Sequence, residues 1–140
     1  MKILVIDGQG GGVGRSLVAA LKQRRPDLPL MALGTNAVAT AAMLRAGAEQ
    51  AATGENAIRY QCRDADVIVG VIGLLLANAL LGEISPAIAA AVSQSEARKV
   101  LIPMERCGLH VVGVGPASLE ERIAEAAEAV ANLAGPPPER

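Results

Sequence analysis

A short apolar segment that runs directly into a glycine-rich turn constrains this chain more than any other feature. Ile3–Ile6 has the continuous apolar character of a strand buried on both faces. The residues that follow it are Asp7-Gly8-Gln9-Gly10-Gly11-Gly12-Val13-Gly14-Arg15-Ser16, and a helical pattern then continues to Pro26. A strand, a glycine turn and a helix start together place bare backbone N–H groups against an anion. The segment therefore predicts a site for a nucleotide or another phosphate-containing ligand.

The spacing of the glycines favours a Rossmann-like loop. The strict dinucleotide pattern G-x-G-x-x-G fails, because its third position falls on Val13 when the pattern starts at Gly8. The wider pattern G-x-x-x-G-x-G fits Gly8, Gly12 and Gly14. That spacing is similar to the nucleotide loop of short-chain dehydrogenases, so the loop is interpreted as Rossmann-like.

Two other interpretations of the loop stay open. A P-loop would need a glycine at Gln9 and a lysine at Arg15, and no acidic residue ends a later apolar strand. The glycines would also suit a tight turn and close packing of helix against strand, with no ligand at all.

Asp7 stands where the short-chain dehydrogenase loop usually has a small hydroxyl residue. A carboxylate there would repel a nearby pyrophosphate. Two roles remain: Asp7 accepts amide hydrogen bonds and braces the loop, or it holds a divalent cation that bridges to the ligand.

The rest of the predicted site comes from residues that follow later strands. Dinucleotide-binding folds carry an acidic residue after the second strand, but this chain has Thr35 and Asn36 there, which makes specificity for NAD doubtful. NAD(P) or another nucleotide is the expected cofactor class. The predicted ligand-binding residues are Asp7, Gly8, Gln9, Gly10, Gly11, Gly12, Val13, Gly14, Arg15, Thr35, Asn36, Gly73 and Glu105.

Apolar segments and helical patterns alternate along the chain. The predicted strands are Ile3–Ile6, Leu30–Leu33, Val67–Ile72, Val100–Ile102 and His110–Val114. Helices are predicted after the glycine loop, after Thr35 or Asn36 to about Ala46, from Thr53-Gly54-Glu55-Asn56 to about Asp64, over Leu75–Leu81, from Ser85-Pro86 to about Ala97, and after the capping box Ser118-x-x-Glu121. The pattern predicts a three-layer α/β/α sandwich, Rossmann-like, with a mostly parallel five-stranded sheet. Residues 1–134 are expected to form one domain, and the proline-rich tail 135–140 is expected to be disordered.

Composition argues against nucleic acid and membrane as partners. The net charge is −1 and Tyr60 is the single aromatic residue, so neither a basic surface nor a stacking platform is available for nucleic acid. Val67–Leu81 is apolar but shorter than the ~20 residues that a spanning helix needs. Two cysteines and the absence of a secretion signal favour the cytoplasm.

No reaction can be assigned from the sequence, and whether the protein is an enzyme stays open. The Tyr-x-x-x-Lys pair of short-chain dehydrogenases is absent, because Asp64 follows Tyr60 at that spacing. Glu105, Cys107 and His110 would supply a Cys–His nucleophile pair, but no third orienting group is visible and structural roles are favoured. The cysteines form no metal-binding motif, so no metal site is predicted.

An excess of apolar residues supports an alternative function. Ala37–Ala46 is apolar on nearly all sides, which predicts a helix buried on more than one face, and Ile72–Leu81 is similarly apolar. Such surfaces commonly close symmetric assemblies. The alternative is a non-catalytic homo-oligomeric protein, with a dimer favoured, in which the glycine turn is purely structural.

Several short motifs carry a resemblance to a known family. They are Asp7-Gly8-Gln9-Gly10-Gly11-Gly12-Val13-Gly14, Ala32-Leu33-Gly34-Thr35-Asn36-Ala37, Thr53-Gly54-Glu55-Asn56-Ala57-Ile58, Leu81-Gly82-Glu83-Ile84 and Leu101-Ile102-Pro103. Over residues 1 to about 115 the chain resembles a family of small bacterial proteins that is a domain of unknown function. Members usually have lysine where this chain has Arg15, which keeps the charge but changes the hydrogen-bond geometry. The resemblance implies a Rossmann-like fold and supplies no activity.

Overall fold

The computed structural model describes residues 1–106 and 108–139 and contains one parallel sheet between two layers of helices. The strands are β1 (Ile3–Asp7), β2 (Leu30–Gly34), β3 (Gln50–Thr53), β4 (Val67–Val71) and β5 (Arg98–Ile102). The helices are α1 (Gly12–Arg24), α2 (Ala37–Arg45), α3 (Glu55–Cys62), α4 (Pro86–Gln94) and α5 (Leu119–Ala134), and a short 3-10 helix covers Ile72–Leu75. The predicted α/β sandwich with a five-stranded parallel sheet is confirmed.

Alternate residues of the central strand β1 point into two different hydrophobic cores. Ile3 and Val5 face the layer formed by α1, α2 and α5. Leu4 and Ile6 face the layer formed by α3 and α4. All four side chains are almost completely buried, as expected of a strand covered on both faces.

The sheet has the order β3-β2-β1-β4-β5. The chain adds β2 and β3 on one side of β1, then crosses over and adds β4 and β5 on the other side. All neighbouring strands are parallel, and Asp7 at the end of β1 lies beside Gly34 at the end of β2. The order therefore reverses between β1 and β4. In open α/β sheets the crevice at such a reversal, outside the carboxyl ends of the strands, is where ligands bind.

Three predicted helix starts are confirmed by their capping contacts. The Asn36 side chain accepts a hydrogen bond from the Ala39 amide, and the Ser85 side chain accepts one from Ile88. Both halves of the Ser118–Glu121 capping box are formed. Such caps satisfy amide groups that have no partner within the helix.

Two predicted elements are wrong, and one strand was not predicted. His110–Val114 is not a strand; the fifth strand is β3, Gln50–Thr53. The helix predicted over Leu75–Leu81 is also absent: the 3-10 helix ends at Leu75, and turns follow in which Asn78, Leu80 and Leu81 have positive φ. The end of α4 lies at Gln94 rather than near Ala97.

The prediction that α2 is buried on more than one face is wrong for the single chain. Ala39 and Met43 are fully buried, but Val38 is 65% exposed and Leu44 is 48% exposed. No helix in the described part of the chain combines the length and the apolar character needed to cross a membrane.

Candidate ligand-binding site

A cavity of about 470 Å³ opens where the carboxyl ends of β1, β4 and β5 meet, at the reversal of strand order. The glycine loop forms one side of it, and the segments after β4 and β5 form the other. The lining residues are Asp7, Gly8, Gln9, Gly10, Gly11, Gly12, Val13, Val71, Ile72, Gly73, Leu76, Ala79, Leu80, Leu81, Met104 and Arg106. The volume lies within the range usual for small-molecule sites, about 300–1,000 Å³.

The glycine loop has backbone amides beside this cavity that find no partner in the described part of the chain. A tight turn is closed by the hydrogen bond from the Gly11 amide to the Gly8 carbonyl, at 2.9 Å. Gly11 has a φ of 74°, and a Cβ atom there would lie 2.8 Å from Cα of Ala39, so only glycine fits. Among the described residues, the amides of Gly10, Gly12 and Val13 have no acceptor. The first amides of a helix need partners from outside it.

Asp7 braces the loop from inside. One carboxylate oxygen accepts the Gly8 amide at 2.8 Å, and the other accepts the Gly14 amide at 2.7 Å. Burial raises the pKa of Asp7 above its usual range, while the two amide hydrogen bonds act in the opposite direction. Because both carboxylate oxygens are occupied by amides, the geometry matches the brace rather than the cation-holding role. No cluster of three or more metal-ligating side chains occurs within residues 1–106 and 108–139.

Glu83, which the sequence did not single out as a ligand-site residue, ties the loop to the end of β2. Its Oε1 atom accepts hydrogen bonds from the Gln9 amide at 2.9 Å, Thr35 Oγ1 at 2.7 Å and Asn36 Nδ2 at 2.9 Å. Asn36 Nδ2 also donates to the Gln9 carbonyl at 2.9 Å. We call these four residues, Gln9, Thr35, Asn36 and Glu83, the Glu83 cluster. Its donors lower the pKa of Glu83, Thr35 contributing most, so the carboxylate is ionised at neutral pH.

The Glu83 cluster changes the part played by two predicted residues. Thr35 and Asn36 do not line the cavity, since their side chains are engaged by Glu83 and by the start of α2. The one sequence signal for Glu83 was its place in a family-like motif, Leu81-Gly82-Glu83-Ile84. Nothing in local spacing indicates a contact between residues 48 positions apart.

The wall opposite the loop is apolar and carries one cation. Val71, Ile72, Leu76 and Met104 belong to this part of the lining, together with the positively charged residue Arg106. Gly73 lines the cavity as predicted, but the neighbour that joins it from the segment after β5 is Arg106 rather than Glu105. Arg15 is exposed on α1 and is not part of the lining.

Two of the groups considered for nucleophilic chemistry, Glu105 and His110, lie outside the cavity lining. Nδ1 of His110 lies 3.0 Å from a carboxylate oxygen of Glu105, and both side chains are more than 70% exposed. Cys107 lies outside the described residues. Cys62 is buried among α3 and α4, and burial raises the pKa of its thiol to about 11, which leaves it protonated at neutral pH.

The chain belongs to the family described as a domain of unknown function (DUF3842), whose family model matches residues 2–135. The predicted membership of a family that is a domain of unknown function is thereby confirmed. No curated protein matches the chain by sequence. Among solved structures it is similar to the dodecameric FMN-dependent UbiX-like decarboxylase from Escherichia coli O157:H7, with 15% sequence identity and a TM-score of 0.47 over 92% of this chain and 75% of that chain. At this degree of similarity, neither the cofactor nor the assembly of that protein is transferred to this chain.

Proposed function

We propose that this protein binds a nucleotide or related phosphate-containing ligand in the cavity at the carboxyl ends of β1, β4 and β5. The observation that carries the proposal is the set of three amides, of Gly10, Gly12 and Val13, that find no acceptor among the described residues and belong to residues that line the cavity. Backbone amides at a helix start suit a phosphate group by both hydrogen bonding and dipole. The dipole of α1 would contribute about 0.3–1 kcal/mol to holding the anion.

The remaining residues take supporting roles in this proposal. Asp7 fixes the loop without aiming a free oxygen at the phosphate, because both of its oxygens accept amides. Arg106 would bind a second polar group of the ligand, and the apolar wall would cover its ring. Thr35 and Asn36 act indirectly, through the contacts that hold Gln9. In the first turns of α1, Arg15 would add to the positive potential around the phosphate and the Ser16 hydroxyl would offer a hydrogen-bond donor.

Calorimetric titration with NAD, NADP, ATP and GTP, supported by thermal shift, tests the proposal. We expect heat of binding and a raised melting temperature with at least one of these ligands, and the response should disappear in Gly12→Asp. Gly12 is exposed and a Cβ atom there meets no neighbour within 4 Å, so an added carboxylate would stand in open space beside the three amides. An acid in the first turn does not destabilise a helix.

Ala87→Asp is the matched control, since it adds the same charge to the first turn of α4, away from the cavity lining. It should bind as the wild type does. Absence of binding by the wild type at ligand concentrations well above a millimolar would contradict the proposal. If Gly12→Asp and Ala87→Asp lose ligand binding equally, the loss comes from added charge in general and not from a site at the glycine loop.

Self-association is a second candidate function, and the exposed side of α2 favours it. Ala37, Val38, Ala41, Leu44 and Arg45 form one stripe at helical spacing, and only Arg45 is polar. We propose that this stripe packs against a second copy of the chain. Ligand binding and self-association are compatible, because the stripe does not overlap the cavity lining.

A further inference from the structure

We propose that the ligand is a mononucleotide or a similar compound with one ring system and one phosphate group, and that dinucleotides are excluded. This inference rests on the proposed function. It depends on the Glu83 cluster, which fills the place at the end of β2 that the second nucleoside of a dinucleotide would need.

Hydrogen bonding at the end of β2 is already satisfied within the chain. In dinucleotide-binding folds, residues after the second strand bind the ribose hydroxyls of the cofactor, commonly through an acidic side chain. Here Thr35 Oγ1 and Asn36 Nδ2 both donate to Oε1 of Glu83, at 2.7 and 2.9 Å. The same oxygen accepts the Gln9 amide at 2.9 Å. A ribose would have to displace an ionised carboxylate from three donors to bind there.

Space on this side of the loop is also taken. A Cβ atom built on Gly8 would lie 2.7 Å from Thr35 Oγ1, 3.1 Å from Glu83 Oε1 and 3.2 Å from Leu80 Cδ1. The segment that carries Leu80 and Glu83 is fixed by its own hydrogen bonds, from the Asn78 amide to the Ile84 carbonyl and from the Gly82 amide to the Asn78 carbonyl. The crevice between the ends of β1 and β2 is therefore closed by the chain itself.

The other side of the loop remains open. The cavity extends from the glycine loop to Val71 at the end of β4, Ile72 directly after it, and Met104 and Arg106 after β5. Its lining there is largely apolar, which suits one face of a planar ring. One phosphate on the loop and one ring against this wall would use this open side, while the Glu83 cluster occupies the place of a second nucleoside at the end of β2.

Binding of matched pairs by calorimetry tests this inference, with FMN against FAD and NMN against NAD as the probes. Each pair shares a ring and its nearest phosphate and differs by an added AMP unit. We expect at least one mononucleotide to bind the wild type, and to bind about tenfold or more tightly than its dinucleotide. Glu83→Ala should reduce that ratio to about threefold or less, because it opens the end of β2.

Glu83→Gln is the control, since glutamine keeps the volume and an acceptor oxygen and should keep the wild-type ratio. A dinucleotide that binds the wild type as tightly as its mononucleotide would overturn the inference and leave the proposed function standing. Gain of dinucleotide binding in both variants would also overturn it, by assigning the exclusion to charge rather than to occupied space. If none of the four probes binds but ATP or GTP does, the inference fails and the proposed function stands; if no nucleotide binds, both fail. Should Glu83→Ala not fold, judged by circular dichroism, the wild-type ratios decide alone.

Discussion

Gly14 packs so closely against Asp7 and against Met43 of α2 that a side chain at this position would clash. A Cβ atom at this position would lie 2.6 Å from Met43 Sδ and 2.8 Å from Asp7 Cβ. We predict that Gly14→Ala lowers the free energy of unfolding by about 1–3 kcal/mol, the usual cost of overpacking a core. Urea denaturation measures the change.

Gly12→Ala is the matched control for this prediction. It makes the same substitution two residues earlier, where a Cβ atom would meet nothing within 4 Å. We expect its stability to stay within about 0.5 kcal/mol of the wild type. Equal losses in the two variants would show that the helix start, rather than the contact with Asp7, is sensitive to the added methyl group.

The two carboxylates of the site respond to pH in opposite directions. The pKa of Glu83 is lowered below 4.5 by its donors, so the unfolded chain binds its proton more readily and the stabilisation fades as the pH falls through the folded pKa. The pKa of Asp7 is raised by burial above 3.8, so protonation of Asp7 stabilises the folded state as the pH falls.

We therefore predict that the stability advantage of the wild type over Glu83→Gln is largest near pH 7 and shrinks as the pH falls below 4.5. Urea denaturation at a series of pH values measures it. Glu96→Gln, which neutralises an exposed carboxylate outside the site, controls for the loss of one charge. An advantage that does not change with pH would mean that the charge of Glu83 has no part in the cluster.

For individual residues of the candidate site, the sequence identified Asp7 but not Glu83. The unusual position of Asp7 in the loop was visible from spacing alone, and its two amide contacts are local. Glu83 could not be identified in the same way, because its partners Gln9 and Thr35 lie 74 and 48 positions away.

At the scale of secondary-structure elements, Asn36 both caps helix α2 and contacts the glycine loop. Asn36 Oδ1 caps the helix by accepting the Ala39 amide, and Nδ2 donates to Gln9 and Glu83. We predict that Asn36→Ala costs about 0.5–2 kcal/mol of stability through the lost cap. Because it also releases Gln9, it should weaken mononucleotide binding, which calorimetry would detect.

Ser118→Ala is the matched control, since it removes the cap of α5 and leaves the Glu83 cluster intact. A second variant, Asn36→Asp, retains a capping oxygen but cannot donate to the Gln9 carbonyl. It should keep the α2 cap but lose binding, and repulsion from the ionised Glu83 carboxylate should lower its stability as well. Wild-type binding by Asn36→Asp would exclude a role of the Asn36 amide in fixing the loop.

The errors in predicting strands have a common physical cause. β3 is short, polar at both ends and has alanine between them, so nothing in Gln50–Thr53 resembles a buried strand. It forms because its backbone completes the edge of the sheet beside β2. His110–Val114 has the β-branched residues of a strand, yet in the described structure it makes no ladder with β5. Edge pairing depends on the available neighbour more than on side-chain propensity.

The segment Leu75–Leu81 was predicted to be helical from its apolar content. Leucines and alanines occur there at high density, but the backbone turns through positive φ at Asn78, Leu80 and Leu81. Helix propensity is a weak local preference that tertiary contacts override. Glu83 contacts three donors, and Leu80 lies beside Gly8 of the glycine loop. A continuous helix over this segment would not bring both side chains to the loop.

For the whole molecule, exposed apolar surface on α2 leads to a prediction about assembly. We expect light scattering at micromolar concentration to give a mass of at least two 14.3 kDa chains. Val38→Asp should shift the mass toward the single chain, because Val38 is a 65% exposed apolar residue of the stripe. Leu119→Asp, at an exposed apolar residue on α5, should leave the mass unchanged. A wild-type protein that is monomeric would contradict the assignment of this face to self-association.

The architecture as a whole was predictable because short apolar strands and capped helices alternate along the chain. The position of the site followed from the first strand, the glycine loop and the start of α1. The shape of the ligand space did not follow, because it depends on how the segment 76–83 folds back against the end of β2.

The central claim is that a ligand phosphate is held by the amides at the start of α1. The most direct test is titration of ¹⁵N-labelled protein with NMN, FMN and ATP, followed by amide chemical shifts. We predict that at least one of them moves the Gly10, Gly12 and Val13 amides most, while amides on β3 and α3 stay in place. Shifts confined to another surface, or no shifts with any of the three at millimolar concentration, would contradict it.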